Sequence, residues 1–175
     1  MKKTLLILLA VTTLFAACKT SGNQREKRLK EIAQAEQEYF SKDFTVTLEE
    51  SQHLMDLYLA FADAFPQDSL TPEMLFGCAS VAIRSQQELY AVTLYKRVYD
   101  EYPNHALRPL ALIHQAVVYD NLGDIDHAKP LYEQFLVMFP DDPFATEVKH
   151  LLDILGKSPE ELETYWQQDS IMNLN

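Results

Sequence analysis

The chain has 175 residues, 47% of them hydrophobic, with 26 Asp and Glu against 15 Lys and Arg and a formal charge of -11. That length supports one domain with a core of its own. The acidic balance excludes nucleic acid as a ligand, because phosphate binding needs a basic surface.

At the N-terminus, Lys2 and Lys3 precede the uncharged run TLLILLAVTTLFAA, which ends at Cys18. Its fourteen residues span roughly 21 Å as a helix, short of the ~30 Å hydrocarbon core, so the run reads as the apolar region of a signal peptide. The stretch Leu14-Phe15-Ala16-Ala17-Cys18 resembles a bacterial lipobox. That resemblance implies a signal peptide over 1–17, acylation of Cys18 with chains such as palmitate, and a mature chain of 18–175. Of the two cysteines, Cys78 is then the one left over, set in an apolar helical pattern beside Ala79 as a small buried residue.

Loss of Lys2 and Lys3 takes the charge from -11 to -13. Residues 19–30 hold Lys19, Arg25, Lys27, Arg28 and Lys30 against Glu26, a local +4 that leaves -17 on the rest. This basic segment adjoins a tether at 18–23. Two readings stand side by side: contact with anionic head groups, or a solvated linker.

From 24 to about 40, Leu29, Ile32, Ala33 and Phe40 recur near one helical face. Thr47-Leu48-Glu49-Glu50 is a capping-box pattern that starts a second helix, ending near Phe65 before Pro66. Thr71-Pro72 predicts a third start, with the Thr hydroxyl as cap, running to about Arg84. A fourth helix fills 88–102. Asp126 is the expected cap of a later helix, which would put Pro130 in its first turn, where the missing N–H costs nothing. Helices at about 143–155 and from Ser158-Pro159-Glu160-Glu161 onward, the latter carrying Tyr165 and Trp166, complete the chain.

The segments LYLAFADAFP, LYKRVYDEYP and LYEQFLVMFP begin at Leu57, Leu94 and Leu131, each 37 residues after the last. Superposing the unit that starts at Pro66 on the one that starts at Pro103 gives identities that include Leu70/Leu107, Pro72/Pro109, Leu75/Leu112, Ala79/Ala116, Ala91/Ala128 and Tyr95/Tyr132. Self-similarity at such a period marks stacked helical hairpins, none of which can bury its apolar face alone. Tyr58, Tyr95 and Tyr132 read as packing wedges, and Pro66, Pro103 and Pro140 as helix stops.

The unit LALIHQAVVYDNLGDIDHAKPLYEQFLVMFP resembles a tetratricopeptide repeat. Leu112, Ala116 and Tyr119 fall at its large, small and aromatic positions, Gly123 at its turn, and Ala128, Tyr132 and Pro140 at the matching places of the second helix. The resemblance implies an all-α fold, an α-α superhelix or right-handed solenoid of about three to four hairpins. A single domain at 24–175 would contain full repeats at about 66–102 and 103–139, and atypical ends would cap the array.

The residues carry no catalytic or metal motif. His53, His105, His114, His127 and His150 are scattered, and pairs such as Asp141-Asp142 and Glu160-Glu161 stand at helix starts, where they complement the helix dipole. We therefore expect a non-enzyme with no cofactor and no metal. The repeat resemblance places partner binding on the concave face of first helices, at Glu73, Phe76, Ser80, Ile83 and Arg84, and at Leu110, Ile113, His114, Val117, Asp120 and Asn121. Packing against a neighbouring helix is the competing reading for Phe76, Ile113 and Val117. An apolar or amphipathic protein segment is the expected guest.

A lipid-anchored repeat protein of this kind looks like the lipoproteins of the outer-membrane protein assembly machinery, the BamD type. The likeness implies a non-catalytic adaptor, anchored in the outer membrane by N-terminal acyl chains and facing the periplasm, that binds one protein partner. The alternative is a glycan- or peptidoglycan-binding accessory lipoprotein, for which display on the cell surface is the other location.

Overall fold

The structure, a computed structural model, describes residues 22–42 and 46–172, the last five as backbone only. The signal peptide expected at 1–17 and the lipidation site Cys18 lie outside the described residues. Helix α1 covers 22–40. It is followed by α2 (Leu48–Ala64), α3 (Thr71–Arg84), α4 (Glu88–Glu101), α5 (Arg108–Asn121), α6 (Ile125–Met138), α7 (Ala145–Ile154) and α8 (Pro159–Met172). No strand occurs among the described residues, so the fold is all-α, as the sequence predicts. Gly22 and Asn23, expected in the tether, are already helical. None of these helices is long and apolar enough to cross a membrane.

Contacts divide the chain into two compact units, one ending at Gln86 and the other beginning at Gln87. In the first, α2 starts on the expected capping box: Glu50 N–H donates to the Thr47 hydroxyl at 3.2 Å, and Thr47 N–H to the Glu50 carboxylate at 2.8 Å. Leu54, Met55, Tyr58, Phe61 and Ala62 recur at helical spacing and are buried, and α2 packs on α3. Helix α1 joins this unit through buried Ile32 and Tyr39. Cys78 is fully buried, as expected.

In the second unit α5 packs on both α4 and α6, and α6 packs on α7. Leu112, Ile113, Ala116, Ala128, Tyr132, Phe135 and Val148 form its core. Burying a ring the size of Tyr132 or Phe135 contributes on the order of 2 kcal/mol or more.

Three connectors share one design. Phe65, Tyr102 and Phe139 end α2, α4 and α6 with nearly the same backbone angles, φ -133, -124 and -134 with ψ 58, 64 and 57. Three residues on, Asp68, His105 and Asp142 each donate N–H to that aromatic residue's carbonyl, and each accepts the first N–H of the next helix. Their side chains then accept the N–H of Leu70, Leu107 and Phe144 at 3.0, 3.2 and 3.0 Å.

This design corrects two expected caps. Thr71 does not cap α3: Leu70 is the N-cap, and Thr71 is buried as the first helical residue, its hydroxyl donating to the Phe65 carbonyl at 2.5 Å. Asp68 already takes the amides of Leu70 and Thr71, and the Thr71 hydroxyl turns back to the preceding helix. Asp126 likewise does not start α6. Asp124 does, its carboxylate accepting His127 N–H at 3.2 Å, and Pro130 therefore lies inside the helix as its sixth residue. Pro130 has no N–H for the Asp126 carbonyl; both residues are exposed, so water can take that place.

Candidate functional site

The expected concave-face residues divide between the two units. In the first, Glu73 is exposed, Phe76 and Ile83 are half-buried, and the Ser80 hydroxyl donates to the Phe76 carbonyl at 3.1 Å. Arg84 is the member of this set that reaches a cavity. At the end of α3 its guanidinium carbon lies 5.3 Å from the Tyr39 ring centre and 5.9 Å from that of Phe40, an arrangement that attracts a cation to the ring faces.

The cavity is an open cleft of about 770 Å³ lined by Tyr39, Phe40, Lys42, Val46, Leu48, Ser51 and the turn Arg84, Ser85 and Gln86. Its floor is rigid. Tyr39 is buried and meets Phe40 edge-on at 5.1 Å, while Ser51 donates to the Thr47 carbonyl at 3.1 Å and lies 3.4 Å from the Tyr39 hydroxyl. Phe40 and Leu48 stay 55% and 68% exposed at its mouth. Lys42 pairs with Glu50, and this ammonium, followed by the Thr47 amide, holds the Glu50 carboxyl down to about 2. Gln86 adopts φ +59, the left-handed region, where the next copy of the repeat has Gly123 at φ +72.

In the second unit, packing claims most of the expected face. Ile113 is buried in the core and Val117 packs against it. The His114 imidazole stacks on Tyr95, ring centres 5.0 Å apart, and burial lowers its pKa, which favours the neutral ring. Asp120 accepts the Tyr132 hydroxyl at 3.3 Å; burial, and then this carboxylate, push the phenol's pKa up. Leu110 is half-buried and Asn121 exposed.

Sequence reasoning reached Arg84 but missed Phe40, Lys42, Leu48 and Gln86. A signal was present at Leu48, a large apolar side chain directly after the cap Thr47, outside the buried stripe of α2. Among the described residues no group of three or more His, Cys, Asp or Glu is placed to hold a metal ion. Chemically, the cleft offers apolar surface, the Arg84 guanidinium and backbone turns. That combination suits docking of a side chain or peptide segment. No protein-family model matches the chain, and a search of curated proteins finds no match either.

Proposed function

We propose that the chain is a non-catalytic, lipid-anchored adaptor built on tetratricopeptide-like repeats, which holds a segment of a protein partner in the cell envelope. The cleft of the first unit carries this reading. The repeated tyrosines are consumed by packing, whereas Phe40 and Leu48 remain exposed beside Arg84 around a concave space. Exposed apolar side chains in a concavity with a few polar groups are a usual form of binding site. An amphipathic segment fits this lining, its apolar residues on Phe40 and Leu48 and its polar edge on Arg84.

The lipobox at 14–18 supports anchoring through Cys18, with the outer membrane and its periplasmic side as the location. The resemblance to outer-membrane assembly lipoproteins extends the reading to a role beside the insertion of β-barrels. A photo-crosslinking residue at position 48, introduced in the native envelope, should capture one defined protein, and Phe40→Asp should abolish the capture. Equal capture from exposed Lys129, or capture that survives Phe40→Asp, would reject the cleft as the docking site. Depletion that leaves the content of assembled β-barrels unchanged would reject the assembly role.

A further inference from the structure

Helix α1 begins at Gly22, within a short chain length of Cys18. Gly22 is already helical, and the four Cα steps from Cys18 to Gly22 reach at most about 14 Å whatever their conformation. From there the helix is held to the first unit. The Arg25 guanidinium donates to both Asp68 oxygens at 2.5 and 3.0 Å, and Tyr58 donates to Glu36 at 2.7 Å. Ile32 and Tyr39 are buried below. The opposite face carries Asn23, Lys27, Lys30, Gln34 and Gln37, all exposed, at alternating steps of four and three that keep them on one side of a helix. No apolar residue and no carboxylate interrupts this stripe. Glu26, Glu31 and Glu38 flank it; Gln34 donates to Glu38 at 3.0 Å, toward the end of α1 away from Cys18, and Glu31 lies 3.6 Å from Lys27 in an exposed pair of a kind that contributes little.

Resting on the lipid anchor proposed above, we infer that the Lys27 and Lys30 face of α1 lies against the anionic head groups of the membrane that holds Cys18. The length of chain between anchor and helix supplies the proximity, and charge supplies the fit. In a chain of net charge -11, this polar stripe is cationic at its centre. Without an apolar side chain it suits the head-group layer, since insertion among acyl chains needs an apolar face. Each basic residue near an anionic surface strengthens attraction about fivefold. Two such residues orient a protein that its acyl chains already hold.

The test uses the full-length acylated protein in detergent micelles, in phosphatidylcholine vesicles, and in vesicles that also contain phosphatidylglycerol. Each lysine's reaction rate with an amine-directed reagent is read by mass spectrometry. Lys27 and Lys30 should react at least about threefold more slowly on the anionic vesicles than in micelles, and high salt should restore their rates. Exposed Lys96, Lys129 and Lys149 should keep their rates throughout. Unprotected Lys27 and Lys30 on vesicle-bound protein would overturn the inference while the anchor stands. Protection equal on phosphatidylcholine, or shared by all the lysines, would overturn it too. Protein that does not float with vesicles would overturn the anchor itself.

Discussion

Tyr58, Tyr95 and Tyr132 hold one position of the repeat, and each is 3% exposed or less, yet each meets a different neighbour. The Tyr58 ring lies where a Cβ on Gly77 would approach to 3.2 Å, Tyr95 stacks on His114, and Tyr132 sits in the core with Phe135 and Val148. Tyr132→Ala should destabilise by about 3–5 kcal/mol in a denaturant titration, from lost burial plus the cavity left behind. Gln86 makes the opposite case, because it adopts a left-handed conformation that its counterpart Gly123 takes without penalty. Gln86→Gly should therefore raise stability by about 0.5–1 kcal/mol. Two paired carboxylates add to the acid sensitivity of the first unit. Hydrogen bonds from Arg25 lower the pKa of Asp68, and Lys42 with the Thr47 amide lowers that of Glu50 to about 2. Because both folded pKa values lie below the unfolded ones, their stabilisation is complete above the ordinary carboxylate range and is lost as pH falls through the folded values. The melting temperature should hold from neutrality to about pH 5 and fall below about pH 4, with a shallower fall in Asp68→Asn.

Among the elements, α6 shows how far local patterns reach. Its apolar spacing and its end before Pro140 are legible from Ala128, Tyr132 and Phe135, because these depend on residues one or two turns apart. Its start is less so: Asp124 and Asp126 are both competent caps, and the turn that fixes Gly123 at φ +72 and bonds Asp124 N–H to the Tyr119 carbonyl selects Asp124. Pro130 is thereby placed where it removes a helical hydrogen bond. Pro130→Ala should stabilise the chain by about 1–3 kcal/mol, measured by chemical denaturation; no change would mean that the helix begins later than Ile125. The start of α3 is misread from Thr71 for the same reason. The amides of Leu70 and Thr71 go to Asp68, a residue that the motif Thr-Pro does not include.

For the molecule as a whole, helix starts at Thr71, Arg108 and Ala145 and helix ends at Ala64, Glu101 and Met138 keep the 37-residue spacing of the sequence. The proposed membrane attachment is tested at this scale. Cys18→Ala should move the protein into the soluble fraction on fractionation, and continued sedimentation with membranes would refute acylation as the anchor. Two basic residues on α1 are too few to retain a protein at a membrane by themselves.

The sequence by itself determined the all-α class, the period, the wedge tyrosines and the helix stops, because each follows from chemistry repeated over a few turns. It also carried Arg84 to the rim of the cleft. Only the tertiary structure decided that His114, Val117 and Asp120 serve packing while Phe40 and Leu48 stay open, since exposure is a property of what another segment covers. The pairing of Arg25 with Asp68 spans 43 residues. No local pattern contains both partners, and that contact holds α1 to the first unit.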